Sequence, residues 1–358
     1  YKRQTLSFER DCYPLLMSEV AMAKASIQAV AKEAGVSVST VSRTFAKPNL
    51  VLPKTRDRVL AAARKLDFQV SRSAAALKSG QSFRIALLHA DTIAVWFNAN
   101  VFRGLNSVFG PAGYDISVYG LSNARERHDF FTELPVRRNV DAVIVCSFDI
   151  DPDEVSRLKD VNVPLIGINT PSTIGLDGAV CIDDKLGMHT AFEHLISLGH
   201  RNIAYVYGAP DDTSQLRFSA ENRLQGLIDA AAAHPDVTLE QIRCSGHEDT
   251  TGAALAQLTT MSPTPTAVCF QTDEMAIPVL YRLPQYGLRV PRDLSVIGFD
   301  DIPFSVKMGL TTLRQRPNDL GAIAARKALA AMEGPLSEPR FETVAPQLML
   351  RDTTAIAA

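Results

Sequence analysis

Residues 26 to 46 read Ser-Ile-Gln-Ala-Val-Ala-Lys-Glu-Ala-Gly-Val-Ser-Val-Ser-Thr-Val-Ser-Arg-Thr-Phe-Ala, and their side chains are suited to chemistry on a nucleic acid. Val38, Ser39, Ser42 and Arg43 fall outward or toward the start of a helix, at the positions that meet base edges when such a helix enters a major groove. Arg43 can pair bidentately with guanine and Val38 can touch a thymine methyl. Ser37, Thr40 and Ser42 suit phosphate contacts or helix caps. A generic exposed helix would carry Glu and Lys pairs at these positions instead.

These groups must be positioned by two short helices and a tight turn. Ile27, Val30, Ala31 and Ala34 recur at helical spacing and make one apolar stripe. Gly35 supplies the left-handed position that ends a helix, and Ser37 can cap the next. Val41 and Phe45 then point inward. Pro53 suits the start of a third helix, whose Val59, Ala62, Ala63 and Leu66 close a small bundle. Residues 69 to 82 are small and polar, a linker expected to become helical only when something holds it.

The charge is divided along the chain. Residues 24 to 84 hold 12 Lys/Arg against 3 Asp/Glu, a net of +9, whereas residues 85 to 358 hold 22 against 33, a net of −11. A basic head on an acidic body fits a head that meets phosphates, where each neutralised phosphate releases counterions. At 358 residues there is room for two or three domains, and 46% hydrophobic with 21% charged residues is a globular composition. There is neither an apolar run of membrane-span length nor a signal-peptide pattern, so a cytoplasmic protein without a membrane partner is expected. The cysteines (Cys12, Cys146, Cys181, Cys244, Cys269) are widely spaced without a C-x-x-C pair, which suggests buried free thiols. Residues 1 to 24 show no clear period and are expected to be a disordered extension, with Met22 resembling a natural start.

From Phe83 onward, apolar runs at 84–89, 114–119, 141–146, 163–168, 202–207, 266–270 and 294–298 alternate with amphipathic stretches. The stretches lie at 98–110, 124–138, 152–160, 185–198, 219–233, 251–259 and 273–286. Repeated βα units argue for parallel sheets covered by helices. The pattern is duplicated about residue 183, which implies two α/β lobes facing across a cleft, the usual place for a small ligand. No P-loop, dinucleotide fingerprint, nucleophile elbow or H-E-x-x-H motif is present, so no catalytic residue, metal or cofactor is expected. His200, in Leu-Gly-His-Arg, is read as marking a helix end.

The chain resembles the LacI/GalR family of bacterial transcription regulators over roughly residues 26 to 354. The resemblance rests on Val-Ala-Lys-Glu-Ala-Gly-Val-Ser-Val-Ser-Thr-Val-Ser-Arg in the head, Lys-Thr-Arg-Asp-Arg-Val, and Ser-Leu-Gly-His-Arg-Asn-Ile-Ala-Tyr at 197–205. Further along, Val-Pro-Arg-Asp-Leu-Ser-Val-Ile-Gly-Phe-Asp-Asp at 290–301, Leu-Thr-Thr-Leu-Arg-Gln-Arg-Pro at 310–317 and Leu-Met-Leu-Arg-Asp-Thr-Thr at 348–354 also fit.

The resemblance implies a small all-α helix-turn-helix head joined to an α/β two-lobed core like that of periplasmic binding proteins. The expected boundaries are a head at 25–68, a hinge helix at 69–82, an N-terminal lobe of 83–183 with 316–345, and a C-terminal lobe of 184–315 with 346–358. It further implies a palindromic operator read by a homodimer, with Val38, Ser39 and Arg43 on bases and Ala74 and Leu77 of the hinge in the minor groove. A leucine pair from two chains can wedge a base step apart there. The ending carries no leucine heptad, so a dimer is expected rather than a tail-built tetramer.

Asn169, Arg223 and Asp300 fall at effector positions of the family, and His247 where some relatives place a stacking aromatic. Asp91, Trp96, Phe97, Ser147 and Thr272 complete the candidate effector set. The residues alone leave Trp96 open between a stacking face and a packed core side chain. Arg223 is equally open to being an interlobe ion pair, and Asp300 a strand-end turn residue. Many relatives have Asn-Asp where this chain has Thr272-Asp273, and a hydroxyl makes fewer hydrogen bonds than an amide, so no relative's effector transfers directly. The expected function is a ligand-responsive repressor of carbohydrate-related genes, released from DNA by a sugar-type effector. A solute-binding protein, or a cleft enzyme acting on a sugar or nucleoside, is the rival reading.

Overall fold

The computed structural model describes residues 25–46, 48–68, 80–90, 92–137, 139–159, 162–209, 216–245 and 249–357. The chain divides into two units at Gly80 and Gln81.

The first unit is a helical head of α1 (Ile27–Ala34), α2 (Val38–Ala46), a 3-10 turn (Pro48–Leu50) and α3 (Pro53–Lys65). Ser26 caps α1 by accepting from Ala29 N–H at 3.2 Å. Gly35 ends it in the left-handed region at φ 60°, as the turn requires. Val30, Ala31, Ala34, Val41, Val59, Ala62 and Ala63 are buried together, with Ile27, Phe45 and Leu66 packed on their edge.

The second unit holds two six-stranded sheets. The first contains β1 (Arg84–His89), β2 (Asp115–Gly120), β3 (Ala142–Cys146), β4 (Leu165–Ile168), β5 (Gly178–Ile182) and β11 (Phe341–Val344). Its strands are parallel, in the order β2-β1-β3-β4-β5-β11. The second sheet contains β6 (Asn202–Ala209), β7 (Thr238–Ser245), β8 (Ala267–Phe270), β9 (Ser295–Asp300), β10 (Thr311–Arg314) and β12 (Gln347–Met349). It repeats the same order as β7-β6-β8-β9-β10-β12, with only β12 antiparallel. β1, β3 and β4 read as unbroken apolar runs because helices cover both faces of a parallel sheet.

The helices are α4 (Trp96–Phe109), α5 (Ala124–Arg137), α6 (Pro152–Lys159), α7 (Asp184–Ser197), α8 (Glu221–Ala231), α9 (Thr250–Thr260), α10 (Asp273–Arg282), α11 (Pro303–Lys307) and α12 (Pro317–Glu333). The chain passes from the first sheet to the second after β5, returns through α12 to β11, and crosses again to β12. The return is tight: a Cβ on Gly104 of α4 would lie 2.0 Å from Asn318 O of α12. Sequence reading placed no strand at 178–182, 238–245, 311–314, 341–344 or 347–349 and no helix at 303–307 or 317–333, and the structure adds them.

In each sheet the strand order reverses beside its first strand, between β1 and β3 in one and between β6 and β8 in the other. In open α/β sheets such switch points open a crevice at the carboxyl ends of the strands. Ser147 stands at the first of them, after β3, and Asn169 and Asp300 stand at the carboxyl ends of β4 and β9, one strand further on.

Candidate functional site

In the head, Ser37, Val38, Ser39 and Arg43 are exposed, and Thr40 and Ser42 half-buried. Val38 is 41% exposed at the first position of α2, unusual for an apolar residue beside an apolar core. Ser37 Oγ accepts from Thr40 N–H at 3.2 Å and lies 2.8 Å from Ser39 Oγ and 2.9 Å from Thr40 Oγ1. Hydroxyls therefore cluster where the helix presents its positive pole, and no acid in the first turn offsets that pole. Thr44 is buried, its hydroxyl donating back to Thr40 O at 2.9 Å. Ala74 and Leu77 lie outside the described residues.

In the core, a cleft of about 750 Å³ lies between the two sheets' carboxyl ends. Trp96, Phe97, Ser147, Asn169, Arg223, Thr272 and Asp300 all line it, while Asp91 and His247 lie outside the described residues. Sequence reasoning missed Asn98, Tyr207, Phe218, Ser219, Gln271 and Gln315, which line the same cleft. Gln315 sits inside a motif already quoted, but nothing local announces that β10 ends there.

Arg223 is held on three sides. Its Nε donates to Asp184 Oδ1 at 2.8 Å, its Nη1 donates to Gln271 O at 2.6 Å, and its Cζ lies 3.6 Å from the centre of the Phe299 ring. Asp300 Oδ1 is 3.8 Å from Nη1. The helix bearing Arg223 comes down on α7 at Gly226, where a Cβ would meet Lys185 O at 2.6 Å, and this approach brings the guanidinium to Asp184. Burial raises the Asp184 carboxyl, and Arg223 opposes that rise.

Asn169, Ser147 and Asp300 all occupy positive φ, at 49°, 69° and 125°. Such backbone in non-glycine residues is strained and gathers at functional clefts. Asn169 Oδ1 accepts from Ile182 N–H at 2.9 Å and its Nδ2 donates to Ser219 Oγ at 3.0 Å. Gln315 Nε2 donates to Asp300 Oδ1 at 2.5 Å. Burial pushes the Asp300 carboxyl well above the usual range, against the pull of Arg223 and with the help of nearby Asp273. Gln315 Oε1 is buried without a hydrogen-bond partner among the described residues. Thr272 Oγ1 caps α10 by accepting from Met275 N–H at 3.3 Å, so its own proton remains to donate outward.

His200 marks a helix end, as the sequence suggests, its N–H donating to Leu195 O at 3.1 Å, but its side chain turns away from the helix pole. The helix before it ends at Ser197, and His200 is buried beyond it. Its Nδ1 lies 2.9 Å from Thr266 Oγ1, and its Nε2 is 3.0 Å from both Ser295 Oγ and Ala355 O. It ties the final segment to the second sheet. Cys146, Cys244 and Cys269 are buried thiols and Cys181 is half-buried, none of them in a disulfide; burial pushes Cys146 and Cys269 up to about 12. Among the described residues no group of His, Cys, Asp and Glu is arranged to hold a metal ion, and no helix is long and apolar enough to cross a membrane.

Residues 26–71 match the family described as bacterial regulatory proteins, lacI family, and residues 192–354 match the periplasmic binding protein-like domain. The chain is 28% identical over 336 residues to the "Probable HTH-type transcriptional repressor ExuR" of Bacillus subtilis (strain 168), covering 92% of this chain and 98% of that protein. Among solved structures it is similar to the lac repressor dimer bound to operator and the anti-inducer ONPF, with TM-score 0.78 and 25% identity over 92% of this chain and 99% of that one. It is also similar to a complex of the transcriptional regulator CelR with cellobiose, with TM-score 0.62, 25% identity and the same two coverages.

Proposed function

We propose that this lacI-family chain, a ligand-responsive transcriptional repressor, binds a palindromic operator as a cytoplasmic homodimer and is released by a neutral, polyhydroxylated effector held in the cleft. The observation that carries the effector reading is the pairing of aromatic faces, Trp96, Phe97, Tyr207 and Phe218, with buried polar groups around one unsatisfied acceptor, Gln315 Oε1. Aromatic faces suit the apolar side of a sugar ring, and a small number of fixed polar groups sets its orientation. An anionic effector fits less well. Arg223 is already matched by Asp184 and Asp300, and Arg243 has a partner within the protein. Among relatives, CelR is seen with cellobiose.

In the head, Arg43 and Val38 are assigned to bases, with Ser39 beside them, and Ser37, Thr40 and Ser42 to phosphates. Ala74 and Leu77 are assigned to the minor groove on the family resemblance alone. Exposed Tyr281 of α10 and exposed Phe304 and Val306 of the adjoining α11 offer an apolar face that supports the homodimer. The mechanism is a population shift: the effector favours one lobe angle, and operator affinity changes by the differential binding.

A thermal-shift panel of neutral mono- and disaccharides, sugar acids and nucleosides tests the effector class. A neutral sugar at 100 times its dissociation constant is expected to stabilise the protein by about 2.7 kcal/mol. A shift produced only by sugar acids would overturn the neutral-ligand assignment. A monomer in sedimentation equilibrium at micromolar concentration would remove the homodimer.

A further inference from the structure

We infer that residues 216–219 form a releasable latch between the two lobes, closed by Arg217 on Asp149. This segment lies between β6 and α8, both elements of the second lobe, yet it is docked on the first. Leu216 is buried in the first lobe's apolar cluster with Ala86, Phe131, Val145 and Phe148, and Phe218 packs against the same cluster. The backbone is tied there as well. Asp149 N–H donates to Arg217 O and Ser219 N–H donates to Ser147 O, each at 3.1 Å, around an antiparallel bridge between Phe148 and Phe218.

The charges are arranged asymmetrically. Asp149 sits between two guanidiniums. On the inner side Arg127 Nη1 donates to Asp149 Oδ1 at 3.1 Å and to Asp149 O at 3.0 Å, while Arg127 Nε lies 2.9 Å from Glu154 Oε2 as an ion pair. Arg127 and Glu154 are buried, so this half is permanent. On the outer side Arg217 Nε donates to Asp149 Oδ2, and its N–H donates to Oδ1, both at 3.1 Å. The Arg217 side chain is 67% exposed. An exposed ion pair holds weakly, and when it breaks Asp149 keeps Arg127, so no buried charge is left unmatched. Opening the latch therefore strands no charge, and its cost is the exposure of Leu216 and Phe218 and the loss of two backbone hydrogen bonds.

Its position gives it consequence. Phe218, Ser219 and Ala220 line the cleft, and the chain runs directly into α8 and Arg223. The cleft wall they form is fixed to the first lobe while the latch is closed and moves with the second lobe once it opens. Closing the latch therefore holds the lobes at one angle and shields the cleft. This needs only the two-lobed core and stands whichever ligand the cleft takes.

The chain's single tryptophan, Trp96, lines the same cleft and reports its opening without any ligand. Acrylamide quenching is measured on the full chain as wild type, R217A and R217K, with a melting curve for each. R217A is expected to raise the open-to-closed ratio about 1.4- to 5-fold, the effect of losing an exposed pair, and so to give a Stern–Volmer constant above the wild-type value. R217K, which keeps a cation, is expected to remain at the wild-type value, and all three are expected to melt together. Unchanged quenching in R217A overturns the latch. Equal increases in R217A and R217K with lowered melting temperatures overturn it too, since they show loosened packing and no role for the charge.

Discussion

Arg223 Nε donates to Asp184 Oδ1 at 2.8 Å, both side chains buried, and this pair joins the first turns of α7 and α8 under the floor of the cleft. Removing one partner of a buried pair leaves the other charge uncompensated, at a cost of about 3–5 kcal/mol. R223A is therefore expected to lower the free energy of urea unfolding by that amount. The R223A/D184A double variant is expected to lose less than the sum of the single variants. Strict additivity would show that the two residues do not act as a pair.

Arg43 is exposed on the last turn of α2. If it reads a guanine, R43A costs about 1–3 kcal/mol on the specific site and relaxes discrimination at one base pair in each half-site. Competition between single-base operator variants checks this. A uniform loss on every sequence, with a shallower salt slope, would assign Arg43 to a phosphate instead.

The entry to α3 is poorly capped. Leu52 is its N-cap residue, makes no side-chain cap hydrogen bond and is 76% exposed. L52S places a hydroxyl oxygen in reach of the unpaired N–H groups of the first turn and is expected to stabilise the head by about 0.5–2 kcal/mol. An unchanged or lowered melting transition of the head would show that exposed Leu52 already has a packing role.

The parts legible in the sequence are those whose cause is local. The helix pair of the head shows in the spacing of Ile27, Val30, Ala31 and Ala34 and in the left-handed Gly35. β3 and β4 show as apolar runs because both their faces are covered. β11 and β12 are not legible: they are short edge strands with no fully buried residue, and only their neighbours define them. α12 packs through Gly321, Ala324, Ala325 and Ala328, small residues that give little periodic contrast. In the cleft, Asn169, Arg223 and Asp300 were named through the family resemblance. Ser219 and Gln315 enter it only because the lobes face each other, a juxtaposition that no local pattern records.

Asp273 carries the clearest pH dependence. It is fully buried and accepts from Ile302 N–H, Ser305 Oγ and Thr312 Oγ1 at 3.1, 2.5 and 2.6 Å. Burial outweighs these donors and raises its carboxyl from 3.8 to about 6. Between those values the folded protein keeps a proton that the unfolded chain has released. Its contribution is therefore present below pH 3.8 and lost as pH rises through about 6. The stability difference between wild type and D273N, from urea titrations at pH 4 to 7, is expected to shrink by about 3 kcal/mol as pH rises. A difference that grows with pH would show that the three donors, not burial, govern the group.

The central claim is that occupancy of the cleft controls the head. The measurement that tests it most directly is fluorescence anisotropy of the full chain on a palindromic fragment selected with the protein itself. It is run at fixed salt, with and without the neutral sugar that gives the largest thermal shift. The sugar is expected to weaken operator binding about 5–150-fold, with a midpoint that follows its own saturation of Trp96 fluorescence. Operator affinity that stays constant while Trp96 fluorescence shows the cleft filled would contradict the account.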